Sequence, residues 1–330
     1  MGCKHGNGQY KVKSRWRRHR CQPVKTGYCR CQGQYYCARF LETTDYHEPS
    51  AYVAALSEKI IMMAEANGGY ETIRSVGISS PSANFVTGCI EHAANLQWKG
   101  IVPLAAMLRD RLGLAVALAN DVHGTALGER TFGGAHGMRN FIVISLGHGG
   151  IGSCLFTNGK PHLGTRGFAG EFGHTCVVSG GRLCSCGRRG CLEEYASARG
   201  MKKTAEELLA SSQEPSLMRG GDLSPKAIAS YCEQGDALAQ KVFHEAGDIL
   251  GMALANYASI VDPEAIILTG ELTSLGHWLI DPLEESFESH VFHNIEGKVK
   301  IMVSMLDDDE RDVLGASALA WEVKEYSLFK

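Results

Sequence analysis

The stretch from Gly167 to Ser197 constrains this 330-residue chain more than any other part of it. It opens Gly-Phe-Ala-Gly-Glu171-Phe-Gly-His174. After a short interval it continues Cys184-Ser-Cys186-Gly-Arg-Arg-Gly-Cys191-Leu-Glu193-Glu-Tyr-Ala-Ser. One histidine and three cysteines are the ligand mix of a closed structural zinc site, which wants four nitrogen or sulfur donors in a tetrahedron. The Cys-x-Cys pair and the cysteine after Gly-Arg-Arg-Gly supply three donors from one tight knuckle, and His174 closes the set from upstream. The competing reading is three core or disulfide-bonded cysteines beside an unrelated histidine. No export signal is evident, so a reducing cytoplasmic setting is expected, and disulfides are disfavoured there. Glu171 and Glu193 flank the knuckle, and a metal that pins both ends would hold these carboxylates near each other, as in a binding site.

Charge is unevenly spread along the chain. The net charge is −3, yet residues 1–41 carry ten Lys/Arg, no acid and five of the twelve cysteines. Such a shift marks residues 1–40 as an anomalous basic segment. No apolar run is long enough for a membrane span, and neither a membrane nor a nucleic-acid partner is expected.

Downstream, apolar residues at Val53, Leu56, Ile60 and Met63 predict a helix ended by Gly68-Gly69. Strands are expected at 73–79, 86–90, 114–118, 141–146, 263–268 and 299–305, alternating with helices near 103–112, 121–132, 237–260 and 312–326. This alternation argues for an α/β fold. Asn158-Gly159 is a hairpin turn signal. Asn120-Asp121 follows a buried strand, at the edge where open α/β sheets hold ligands. A carboxylate there can accept a proton from an attacking hydroxyl, or the pair can serve only as a helix cap. Gly147-His148-Gly149-Gly150 after the next strand fits either a phosphate cradle of backbone N–H groups or a tight hairpin.

The Gly-Glu-Phe-Gly-His segment with its cysteine knuckle and Leu-Glu-x-Tyr-Ala-Ser resembles the signature of ROK-family sugar kinases, and further matches run from about Thr43 to the C-terminus. The resemblance implies a two-domain actin-like, ribonuclease-H-like fold. It divides the chain into a small α/β domain, 41–119 plus 311–330, and a large one, 120–310, carrying the zinc site. It also implies ATP-dependent phosphorylation of a hexose, glucose first, at the 6-hydroxyl, with Mg²⁺-ATP as donor and a homodimer as the assembly. Asp121 becomes the general base. Asn120, Glu171, His174, Glu193, Ser82 and Ala83 become sugar-binding, and Gly147, His148, Gly149, Gly150 and Gly270 nucleotide-binding. Zinc falls to His174, Cys184, Cys186 and Cys191. The chain departs from the family at His148, Cys154, Thr269 and Ser82-Ala83. A sugar-sensing regulator and a catalytically dead sugar-binding relative are the alternatives.

The family opens with an Asp-x-Gly-Gly-Thr phosphate loop, which is absent as written. Codons for Ser14–Cys21 read one base later can give Val-Asp-Gly-Gly-Gly-Thr-Asp-Val, the first glycine being forced because Trp16 has a single codon. A shifted reading frame over roughly the first 38 residues is therefore expected, and residues 1–38 as translated are not expected to supply the family's first two strands.

Overall fold

Val53, Leu56, Ile60 and Met63 fall on one side of a 3.6-residue period, and in the computed structural model they form the buried face of helix α1 (Pro49–Ala66). The structure describes residues 24–29, 35–41, 43–93, 96–147, 150–307 and 310–322. Ahead of α1, strands β1 (Val24–Cys29) and β2 (Tyr35–Leu41) pair antiparallel, with Val24 opposite Leu41. Residues 1–38, not expected to supply the family's first two strands, thus contribute to a two-stranded pair, and Ser14–Cys21, where the shifted frame is read, lies outside the described residues. A ladder closes on main-chain groups, which the residue composition does not remove. Among the described residues, neither strand is hydrogen-bonded to any other strand of the chain.

The chain continues through β3 (Ser75–Ser79), a small antiparallel sheet of β4 (Ala83–Asn84), β5 (Cys89–Glu91) and β6 (Ile101–Val102), helix α2 (Leu104–Leu112) and β7 (Ala115–Ala119). The strand expected at 86–90 is displaced to Cys89. Asn84 Oδ1 accepts the Val86 N–H at 2.9 Å, and its carbonyl accepts the Gly88 N–H, so the chain turns there instead of extending. β3 and β7 run parallel in register, Ser79 beside Ala119, and end at one edge. Helix α3 (Asp121–Phe132) starts one residue beyond that edge.

The five-stranded sheet begins with β8 (Phe141–Gly147), β9 (Gly150–Thr157) and β10 (Lys160–Pro161), each antiparallel to the next. Asn158 (φ 54°) and Gly159 (φ 76°) both adopt the left-handed conformation that a two-residue hairpin turn demands. The long excursion that follows carries α4 (Glu193–Ala196), α5 (Ala198–Ser211), α6 (Pro225–Glu233) and α7 (Ala237–Val261). β11 (Ala265–Thr269) then enters parallel between β8 and β12 (Lys300–Val303), with α8 (His277–His290) linking the last two strands and α9 (Arg311–Glu322) following. Alternation within the strands sorts the core. Ile142, Ile144, Leu146, Ile266 and Leu268 join the apolar side chains of α5–α8, whereas Phe141, Val143 and Ile267 pack with those of α3 and α9.

The second group also takes in Ala117 and Ala119 of β7, so α3 and α9 lie between the two sheets. They cross closely: a Cβ on Gly315 would stand 2.6 Å from the carbonyl atoms of Gly124. Any larger residue there would force the helices, and the sheets on either side, apart. No helix among the described residues is long and apolar enough to cross a membrane.

Candidate active site and metal centre

The parallel strands deliver a set of polar groups to one edge. Asn120 is the N-cap of α3, its Oδ1 accepting the Val122 N–H at 3.0 Å, and Asp121 is the first helical residue. The cap reading is met by Asn120, and Asp121 Oδ1 also accepts the Val122 N–H at 2.9 Å, which leaves its second oxygen for other work. The Asp121 side chain is exposed, but protein atoms crowd its surroundings. That partial dehydration raises its carboxyl above the ordinary value. The Val122 N–H opposes the rise, and the neighbouring Asp312 and Glu171 carboxylates add to it. Glu171 is raised in the same way by dehydration and by Glu193, with His174 pulling the other way. Asp121, Glu171, His174 and Glu193 thus form one electrostatically coupled group.

Ser82 and Ala83 sit on the β4 side of the same edge, Ser82 in the left-handed conformation (φ 57°) and exposed, Ala83 buried. Gly147 and Gly150 are the last paired residues of the β8–β9 hairpin. Gly270 follows β11 with its Cα against the Leu146 carbonyl, so these three glycines are neighbours. His148 and Gly149 lie outside the described residues. Gly150 is required by contact as well as by φ (131°), since a Cβ there would stand 2.0 Å from Glu193 Oε2.

Glu193 is more engaged than a free hydroxyl acceptor. It is buried in α4, its Oε2 accepts the Ile151 N–H at 3.2 Å, and Arg199 Nη2 donates to its Oε1 at 2.8 Å. It therefore braces the glycine hairpin while keeping lone pairs on the polar edge.

His174 ends a single 3₁₀ turn, Phe172–His174, that also positions Glu171. The turn is held from beneath. Phe172 stacks on Tyr257 with ring centroids 3.9 Å apart, Tyr257 donates to the Phe172 carbonyl at 3.0 Å, and Ser153 Oγ accepts the Phe172 N–H. His174 Nδ1 faces the cysteines, 3.6 Å from Cys184 Sγ, and Cys186 Sγ lies 3.6 Å from Cys191 Sγ. All four donor atoms fall within 4.8 Å of one another. Zinc–sulfur bonds of about 2.3 Å in a tetrahedron require donors about 3.7 Å apart, so the arrangement fits that ion. Burial pushes the Cys191 thiol up to about 12, so a cation would be needed to hold it as a thiolate.

Four supporting residues escape a reading by motif. Arg199 joins Glu193 to Glu194, Asp312 reaches Asp121 from α9, and Tyr257 rises from α7. Asn84, fully buried, donates to the Arg166 carbonyl at 2.9 Å and ties the β4–β5 hairpin to the loop before Glu171. Thr269, noted as a departure, is buried with its hydroxyl unbonded among the described residues.

The β3–β7 sheet and the five-stranded sheet with a helix pair between them, and a polar edge at the strand ends, define a two-domain α/β protein of the actin-like type. A family model described as the ROK family matches residues 36–323, and the chain belongs to that family. The glucokinase of Halalkalibacterium halodurans is 33% identical over 258 residues, 76% of each chain. The xylose repressor of Caldicellulosiruptor bescii is 30% identical over 251 residues, 75% of this chain and 62% of its own. Among solved structures, a ROK family glucokinase from Streptomyces griseus in complex with glucose and AMPPNP superposes with a TM-score of 0.70. Identity to it is 29%, covering 91% of this chain and 96% of that one.

Proposed function

We propose that the chain transfers the γ-phosphoryl group of Mg²⁺-ATP to the 6-hydroxyl of a hexose, with glucose the first candidate. The observation that carries this reading is the coupled group of Asp121, Glu171, His174 and Glu193 beside the glycine hairpin. Asp121, ionised, takes the hydroxyl proton as the sugar oxygen attacks phosphorus, and the bond from γ-phosphorus to the bridging oxygen breaks to release ADP. Asn120, Glu171, Glu193, Ser82 and Ala83 surround the sugar, and His174 offers it Nε2 while Nδ1 faces zinc. A polyol requires several fixed partners of this kind, since a buried hydroxyl left unpaired is costly. Zinc in this role is structural and fixes the turn that carries Glu171. The backbone at Gly147, Gly150 and Gly270 meets the phosphates, where positioning and charge stabilisation supply most of the rate.

Kinship with the xylose repressor favours a second reading, sugar sensing without turnover. A coupled ADP-release assay over glucose, mannose, N-acetylglucosamine, N-acetylmannosamine and fructose separates the two. Glucose is expected to give the highest rate. Sugar binding by calorimetry with no ADP release for any sugar would establish the sensor instead.

A further inference from the structure

The knuckle contains one cysteine beyond the four donors. Val177 N donates to the Gly190 carbonyl at 2.8 Å, and Leu192 N donates to the Thr175 carbonyl at 3.0 Å. Between these two bonds Cys176 and Cys191 face each other as an antiparallel bridge pair that shares no hydrogen bond of its own. In such a pair the Cα atoms lie about 4.5 Å apart and the side chains are close. That separation is inside the span of about 4.4–6.8 Å that a disulfide bridges. Cys176 Sγ already leans toward the facing strand, 3.2 Å from where a Cβ on Gly190 would stand. The two thiols differ in access: Cys176 is exposed, and Cys191 is buried among the zinc donors.

We propose that Cys176 is an oxidation site that captures Cys191 as a disulfide and so removes a zinc ligand. The inference rests on the zinc reading above, and the oxidant it requires is a peroxide. Cys176, as thiolate, attacks one peroxide oxygen. The O–O bond breaks, hydroxide leaves, and the sulfur becomes a sulfenic acid. Cys191 thiolate, leaving the metal, attacks that sulfur and expels a second hydroxide, forming the S–S bond. Two electrons pass from the two sulfurs to the peroxide, which ends as water after protonation. Three donors remain, His174 loses its anchor, and the turn carrying Glu171 loosens. A dithiol reductant and free zinc reverse the change.

The test uses the full chain carrying its zinc. Hydrogen peroxide is added, zinc release is followed with a chromogenic chelator, and unreduced peptides are mapped by mass spectrometry. The expected result is a Cys176–Cys191 link and zinc release at least about tenfold faster than in Cys176→Ser. Cys176→Val should behave as Cys176→Ser does, which excludes an effect of the serine hydroxyl. Equal release rates, or zinc lost with only Cys184, Cys186 and Cys191 linked among themselves, would overturn the proposal. A chain that holds no zinc before peroxide is added overturns the metal assignment itself, an outcome read before any oxidation.

Discussion

Asp121 is an acid whose surroundings oppose its charge, and two expectations follow at the scale of this one residue. Its carboxyl is raised by partial dehydration and by Asp312 and Glu171. In its proposed role as general base it must be ionised, so kcat/KM should fall as pH drops through a value above the ordinary aspartate figure of about 3.9. Stability runs the other way. A carboxyl raised in the folded state binds its proton more tightly there than in the unfolded chain, so its charge penalises folding at every pH above the ordinary value. Asp121→Asn should therefore cut turnover by at least about a hundredfold. Sugar affinity should stay within a few-fold, and the melting temperature at pH 7 should be unchanged or higher. Near-normal turnover in that variant would reduce Asp121 to part of a helix terminus.

At the scale of elements, α7 is the longest helix described and depends on its cap. Asp236 Oδ1 accepts the Leu238 and Ala239 N–H groups, both at 3.1 Å, and Oδ2 accepts Ser216 Oγ at 2.8 Å and Leu217 N at 2.6 Å. Burial pushes this carboxyl up, but the Ser216 hydroxyl and the three amides outweigh it, and the net value is lowered. Asp236→Ala should cost about 2 kcal/mol in urea unfolding at neutral pH. The sign is opposite to that at Asp121. The stabilisation is present above about pH 4 and fades as pH falls through the lowered value, so wild type and variant should converge in acid. Helices α1, α2, α3, α7 and α9 and the parallel strands were legible because apolar spacing reports a period directly, and the His174 and cysteine set because its donors are crowded into one short segment. Arg199, Asn84 and Asp312 were not. Their partners meet only through tertiary approach, and the residues themselves read as ordinary surface or turn positions. The β1–β2 pair was missed for the converse reason: a ladder formed by main-chain groups leaves little mark in composition.

The molecule as a whole is tied together through His174, whose Nδ1 belongs to the cysteine cluster and whose turn carries Glu171. On the proposed function His174 is shared by zinc and the sugar, which makes their binding interdependent. Zinc-site assembly can contribute on the order of 10 kcal/mol to folding, so chelation should loosen the knuckle and weaken sugar binding before the core unfolds. Thermodynamic reciprocity then requires the converse: the factor by which zinc tightens the sugar is the factor by which the sugar tightens zinc. Calorimetry with and without metal, set against chelator titration with and without sugar, measures the two sides of that equality. A factor near one from either side, meaning that neither ligand alters the other's affinity, would break the connection through His174. If the coupling is favourable, a bound sugar also guards the ion, and a starved cell would lose zinc from this protein sooner than a fed one.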